Sequence, residues 1–241
     1  MRGLIRSEWL KLITTRGTFL LLLGAVAINI FTVVAPGENA LDELAQPLHE
    51  QQGIVIVSIL MRVLLLVLGI RAVTEEFRHG TIISTLLATP RRHKVVLAKA
   101  IAVAAAGGLI ALVTTAALLG SMYVMATLND MSVTSLADSW RTLAGGLVVG
   151  VIWPVVGLGV GLLVRGQVVA IVGGVVWLMG VEQMIEGRLG RLGDFLPGVA
   201  GLAGAAAPSS RALWVGSAAL LAWALVTSAA GALVMERRDV A

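Results

Sequence analysis

Leu143 to Val164 reads LAGGLVVGVIWPVVGLGVGLLV, 22 residues without a charge or a strong hydrogen-bonding side chain other than the indole of Trp153. About 20 consecutive apolar residues are what an α-helix needs to cross the hydrocarbon core of a bilayer, where every backbone N–H and C=O must be satisfied within the segment. Pro154 sits inside the stretch and predicts a kink. Working outward, Arg165-Gly166-Gln167 is a minimal turn, and a second apolar run follows from 168 to 181.

The rest of the chain repeats the pattern. Apolar runs at about 18–35, 53–73, 95–127, 143–164, 168–181 and 213–234 predict an all-α, polytopic membrane protein with six transmembrane helices in a single transmembrane domain, 1–241. The composition agrees. The 241 residues are 58% hydrophobic and 13% charged, with a mean hydropathy of +0.94, whereas a soluble domain is about 45–50% apolar and about 25% charged. The run at 95–127 is longer than one crossing requires, so tilt or a cytoplasmic extension is expected there. Ala35-Pro36 is a poor cleavage site for a signal peptide, and the first run is read as a retained span.

Charge sets the expected orientation. With the N-terminus inside, the inner flanks hold Arg2, Arg6, Lys11, Arg16, Arg71, Arg78, Arg91, Arg92, Lys94, Lys99, Arg165, Arg237 and Arg238. The outer loops hold only Arg141, Arg188, Arg191 and Arg211, and the loop 37–52 is acidic. Basic residues favour the cytoplasmic side, so both termini are expected there. The net charge of +4 is thereby explained by anionic lipid rather than by nucleic acid.

Residues 2–15 place Ile5, Trp9, Leu12 and Ile13 at helical spacing, with Arg2, Arg6 and Lys11 elsewhere on the wheel. That predicts a short helix lying in the membrane interface. Small residues four apart, Ala102/Ala106, Gly146/Gly150 and Gly157/Gly161, predict close helix packing.

Enzymatic chemistry finds few parts. There is no cysteine. No phosphate-binding Gly-x-x-x-x-Gly-Lys-Ser/Thr loop surrounds Lys11, Lys94 or Lys99, and no His-Glu-x-x-His or Gly-x-Ser-x-Gly occurs. Carboxylates are missing from the middles of the runs, which removes the parts of a proton relay and disfavours a secondary transporter. No metal site and no cofactor of this chain's own is expected. One ionisable residue sits deep: Arg62, within Ile59-Leu60-Met61-Arg62-Val63-Leu64. An arginine at a span centre costs about 2.5–3.5 kcal/mol on insertion scales, so it faces protein or a cavity. It is either a residue of a substrate pathway or one paired with helix-end carbonyls or a polar neighbour. Glu182 and Glu186 share a helical face in a glycine-rich segment, 182–210, that also holds Pro197. They are candidates for an outer gate, against a structural role through water, Arg188 or Arg191.

The cytoplasmic stretch 74–94 carries the most information. Glu75-Glu76-Phe77-Arg78-His79-Gly80-Thr81 ends one helix and starts another, with Thr81 as the expected N-cap. Ile82, Ile83, Leu86 and Leu87 form an apolar face, and Pro90-Arg91-Arg92 closes the helix.

These residues resemble the membrane subunit of a bacterial type-2 ATP-binding-cassette exporter, in a pattern common among actinobacterial permeases. Glu76-Phe77-Arg78-His79-Gly80-Thr81 is the most specific element. Ser7-Glu8-Trp9-Leu10-Lys11-Leu12, Phe195-Leu196-Pro197-Gly198 and Arg237-Arg238-Asp239 match the family layout more weakly. The resemblance implies a permease in the bacterial cell membrane, paired with a second permease subunit, identical or a sister, and with two copies of a separate ATPase that binds ATP and Mg. Thr81 to Ala88 would be the coupling helix. Glu76, Phe77, Arg78, His79, Gly80, Thr81, Ile82, Leu86, Arg91 and Arg92 would be the ATPase-coupling residues, and 182–210 would be a re-entrant outer segment. The alternative is a membrane interaction, assembly or immunity protein without a pathway of its own.

Overall fold

The computed structural model describes residues 1–34, 52–89, 91–128, 140–206 and 209–237, and these are helical with no strand among them. The acidic loop after the first run, the polar loop 129–139, Pro90 and Arg238-Asp239 lie outside the described residues, as does the side chain of Leu86.

Helix α1 spans Arg2–Thr14 and α2 spans Arg16–Val34. Up to Phe31 the two are bent by 63° at Thr15, whose extended backbone breaks the run. Helix α3 spans Gln52–Arg78, α4 Thr81–Ala88, α5 Arg92–Leu128 and α6 Trp140–Val164. Helix α7, Gln167–Val176, continues without a break through a π-helical turn, Trp177–Val181, into α8, Glu182–Leu189. A 3-10 turn, Gly190–Phe195, precedes α9, Pro197–Ala206, and α10 is Ser210–Arg237. The helical run after Gln167 therefore extends well past Val181.

By length and composition, the described residues hold four helices fit to cross a membrane: Arg92–Leu128, Leu143–Val164, Gln167–Phe195 and Arg211–Met235. The bent pair of α1 and α2 makes up to five. The sixth expected span, α3, is 27 residues long, with Arg62 as the one charge between 53 and 70 and Arg71, Glu75 and Glu76 towards its end. Those charges are not wasted on lipid, because their side chains face the protein, as described below.

Helix α6 is the hub. It packs on α3, α5, α9 and α10. Lipid tails are as apolar as leucine, so helices in a bilayer associate by close packing rather than by the hydrophobic effect. The glycines make that possible. A Cβ at Gly69 of α3 would collide with the Pro154 carbonyl, and one at Gly157 with the Leu66 carbonyl. Gly161 sits against Ile70 and Val73, and Gly107 of α5 against the Gly150 carbonyl. Gly159 and Gly231 do the same for α6 and α10, against Thr227 and Leu162. The pair Gly157/Gly161 thus faces α3. Gly146 has nothing within 4 Å and takes no part. Trp153, Leu65, Leu68, Leu158 and Leu220 fill the core between these contacts.

Candidate functional site

Polar chemistry concentrates at two places, one at each side of the bundle. The first is the end of α3. There the N–H of His79 bonds the Glu75 carbonyl at 3.0 Å and the N–H of Gly80 bonds the Phe77 carbonyl at 3.3 Å. Gly80 has φ 68°, a left-handed conformation that glycine adopts freely and that closes α3 in the manner of a helix C-terminal cap. The same residue starts α4, and the N–H of Ile83 reaches its carbonyl at 3.4 Å. The N-cap is therefore Gly80, not Thr81 as the sequence predicts. Thr81 is the first helical residue, and its carbonyl accepts from the hydroxyls of Ser84 and Thr85. One glycine serves two helix ends because only His79 and Gly80 separate α3 from α4.

The apolar face of α4 is split. Ile82 is 2% exposed and belongs to the core of the chain itself. Ile83 and Leu87 are 47% and 79% exposed. Arg78, His79 and Arg91 are exposed around it, while Arg92 is half-buried and donates to the Met235 carbonyl of α10. His79 Nδ1 lies 2.8 Å from the Glu75 carbonyl. Phe77 is half-buried under the guanidinium of Arg165, 5.3 Å from its ring centre. Arg165 in turn has φ 60°, which is strained for a residue with a Cβ, and donates to the Val234 carbonyl at 3.4 Å. So Arg92 and Arg165 both serve the last carbonyls of α10, where positive charge is favoured by the helix dipole. They tie the C-terminal helix to the ends of α5 and α6.

Glu76 points the other way, into the bundle. Its Oε1 receives Lys11 and Lys99, each at 2.8 Å. Glu8 of α1 completes the arrangement: its Oε1 is 2.6 Å from Lys11 and its Oε2 is 2.6 Å from Lys99. Two carboxylates and two ammonium groups alternate, from α1, α3 and α5. Glu8, Glu76 and Lys99 are buried, so their charges must be paired to persist there. Burial by itself would raise the Glu76 carboxyl, but Lys99 and Lys11 outweigh it and hold it below the ordinary carboxylate range. Burial would lower Lys11, and Glu76 and Glu8 outweigh that too, so its ammonium is held above its ordinary range. A cavity of about 320 Å³ opens beside the cluster, lined also by Arg71, Glu75 and Thr81. Arg71 bonds Glu75 one turn along and covers Gly17 at the start of α2.

The second place is about 24 Å along α3 from its Arg78 end, at 1.5 Å per residue. Arg62 is buried and donates to the Gly198 carbonyl at the start of α9. Glu182 is buried opposite, and its Oε1 accepts the N–H of Val199 at 2.8 Å. Gly201 of α9 fits between the Arg62 stem and the Trp153 ring. A helix-end carbonyl, one of the options for Arg62 in the sequence, is among its partners. Glu186 lies half-buried a turn beyond Glu182, and Pro197 is the first residue of α9.

The sequence reading placed Glu76, Phe77, Arg78, His79, Gly80, Thr81, Ile82, Arg91 and Arg92 together, and the fold does gather them at one end. It separates them by direction, with Glu76 and Ile82 inward and Arg78, His79 and Arg91 outward. The ion cluster is not legible in the sequence, where Lys11 and Lys99 read as flank charges and Glu8 stands only within the Ser7–Leu12 motif. The signal that could expose it is Lys99, which follows four apolar residues, 95–98, into the α5 run.

Among the described residues no group of three or more His, Asp or Glu could hold a metal ion. No curated protein matches the chain. A family model, ABC-2 family transporter protein, matches residues 4–180, about three quarters of the chain, from the ion cluster's first helix through α7. With an all-helical membrane fold and that match, the chain belongs to the ABC-2 transporter family and is a permease component of an ATP-binding-cassette transporter.

Proposed function

We propose that the chain is an exporter permease that forms its pathway with a second permease subunit and is driven by two copies of a separate ATPase docked at the α4 end. The observation that carries this is α4 itself. It is a two-turn helix pinned at one end by Gly80 and at its inner face by Ile82, yet it leaves Ile83 and Leu87 exposed. A helix held against the bundle through Ile82 with bare apolar residues outward fits a groove on a soluble partner. The basic side chains Arg78 and Arg91 suit acidic residues around that groove. ATP and Mg act in the partner. The basic end of the bundle, where α1, α4 and the α6–α7 turn meet, faces the cytoplasm of a bacterial cell membrane, with both termini there and six crossings including α3.

The ion cluster supports the coupling role. It joins α1 and α5 to the last turn of α3, directly before α4. A push on α4 is transmitted to α1 through charged contacts at 2.6–2.8 Å rather than through loose packing.

The test is affinity purification of the tagged chain from its native membranes. An ATPase with a phosphate-binding loop is expected to co-purify, and Gly80→Arg or Leu87→Asp should deplete it while leaving the permease in the membrane. Purification without any ATPase, or variants that retain it fully, would refute the coupling reading.

A further inference from the structure

Helices α1 and α2 meet at 63°, and their own side chains do not fill the elbow between them. The cavity of about 320 Å³ beside the ion cluster lies in that angle, walled by α1, α2, α3 and α5. The enclosed part of its lining is apolar, with Leu12, Leu21, Leu68 and Val103. The part that solvent reaches is charged, with Lys11, Arg71 and Glu75. Along α2 the bare apolar surface begins at Phe19 and Leu20, directly after Thr18 of the lining. The mouth therefore stands where apolar surface gives way to charge, which in a bilayer is the headgroup level. A small concave site with an apolar floor and a few charged groups at its mouth suits an amphiphile.

The charged groups at the mouth still have bonds to make. Lys11 places its ammonium on Glu8 and Glu76, which leaves one of three N–H donors, and 46% of its side chain is exposed. Arg71 gives Nε and Nη2 to Glu75 Oε1, two of five N–H donors. Its guanidinium lies over Gly17, where a Cβ would collide with it, so the glycine seats the arginine at the elbow. Glu75 is 29% exposed along its side chain, and its Oε2 lies outside the contact with Arg71. Glu8, Glu76 and Lys99 border the cavity too, but they are buried and answer one another. Across the whole lining, Lys11, Arg71 and Lys99 balance Glu8, Glu75 and Glu76. A neutral lining with both signs at its mouth favours a zwitterion over an anion.

We propose that the elbow binds one phospholipid whose headgroup carries a phosphate and a primary ammonium, as phosphatidylethanolamine does. The phosphate lies against Lys11 and Arg71, and the ammonium donates to Glu75 Oε2. The first carbons of the chains enter among Leu21, Leu68 and Val103, and the rest of the lipid stays in the bilayer. The leaflet, though not the site, rests on the orientation proposed above.

The test is native mass spectrometry of the full chain, delipidated in detergent and titrated with phosphatidylethanolamine, its N-methylated forms, phosphatidylcholine and phosphatidylglycerol, all with the same acyl chains. The first phosphatidylethanolamine should bind about tenfold more tightly than the first phosphatidylcholine, which has the charge but no N–H, as the loss of a hydrogen bond to a charged group predicts. The N-methylated forms should fall between them. Glu75→Gln should bring phosphatidylethanolamine and phosphatidylcholine level and strengthen phosphatidylglycerol, because the lining then carries a positive charge. Leu21→Trp, which narrows the floor and keeps every charge, should weaken all of them, and it guards against a Glu75 variant that fails to fold. Equal affinity for phosphatidylethanolamine and phosphatidylcholine, tighter binding of phosphatidylglycerol by the wild type, an unchanged preference in Glu75→Gln, or full binding by Leu21→Trp would overturn the site. Orientation is read separately. The chain has no cysteine, so Gly3→Cys supplies a single thiol on α1. In intact cells it should react with a membrane-impermeant maleimide only after permeabilisation, and labelling from outside would overturn the leaflet while leaving the lipid site standing.

Discussion

Lys99 Nζ lies 2.6 Å from Glu8 Oε2, with the lysine side chain 2% and the glutamate side chain 5% exposed, joining residues 91 positions apart in the chain. A buried ion pair adds little to stability relative to an apolar pair, but removing one partner strands the other, and that costs about 3–5 kcal/mol. Lys99→Met should therefore lower the thermal midpoint of the protein in nanodiscs sharply, since Glu8 and Glu76 would share Lys11 alone. Adding Glu8→Gln to it should cost less than the two single losses summed. Strict additivity in that double-mutant cycle would mean that the pair does not interact.

The cluster also sets a pH window. Glu76 is held below its ordinary range, so its contribution to stability is present above that range and is lost as the pH falls through its folded value. Lys11 is held above its ordinary value of 10.5, so its contribution is present below that pH and is lost only as the pH rises through its folded value. Thermal stability should be flat through neutral pH and decline at acid pH. Glu76→Gln should remove part of the acid decline, and an unchanged acid limb in that variant would contradict the assignment.

Gly80 tests the joint between α3 and α4. It has open space around it, so a side chain there clashes with nothing and only the backbone objects. At φ 68° a Cβ costs about 1–2 kcal/mol, and asparagine tolerates the conformation better than most residues. Gly80→Ala should weaken ATPase binding in a pull-down more than Gly80→Asn, with the membrane level of both near wild type. An effect of Gly80→Asn as large as or larger than that of Gly80→Ala would refute the conformational account.

Helix packing gives a paired comparison. Gly69→Ala and Gly157→Ala place a methyl group into a backbone carbonyl of the facing helix and should destabilise by about 1–3 kcal/mol each, as overpacking does. Gly146→Ala meets nothing within 4 Å and should be neutral or slightly stabilising, since alanine is the better helix former. Retention of the folded protein after detergent heating, followed by fluorescence size-exclusion, ranks the three. Loss in Gly146→Ala equal to that in Gly157→Ala would refute the α3–α6 contact.

The sequence by itself determined the solvent, the class and the landmarks. Apolar runs of bilayer length demand helices, because lipid offers no partner for a bare backbone group, and the all-helical fold follows from that demand. Periodicity and the Gly80 break were enough to mark α4, since glycine's freedom at positive φ is a local property. Small-residue spacing announced close packing but not its partners: Gly157/Gly161 and Gly146/Gly150 look alike in the chain, and only the first pair has both members against a facing helix.

Tertiary structure alone decided direction and partnership. Glu8, Lys11, Glu76 and Lys99 form one unit across three helices, and no local pattern encodes a contact between residues 65 or 91 positions apart. It turned Glu76 inward while leaving its neighbour Arg78 exposed, because a step of two on a helix reverses the face. It also gave Arg62 the Gly198 carbonyl and turned Glu182 inward after a π-turn. Burial makes those pairings obligatory, since a charge or polar group taken from water must find its partner wherever the fold brings one within reach.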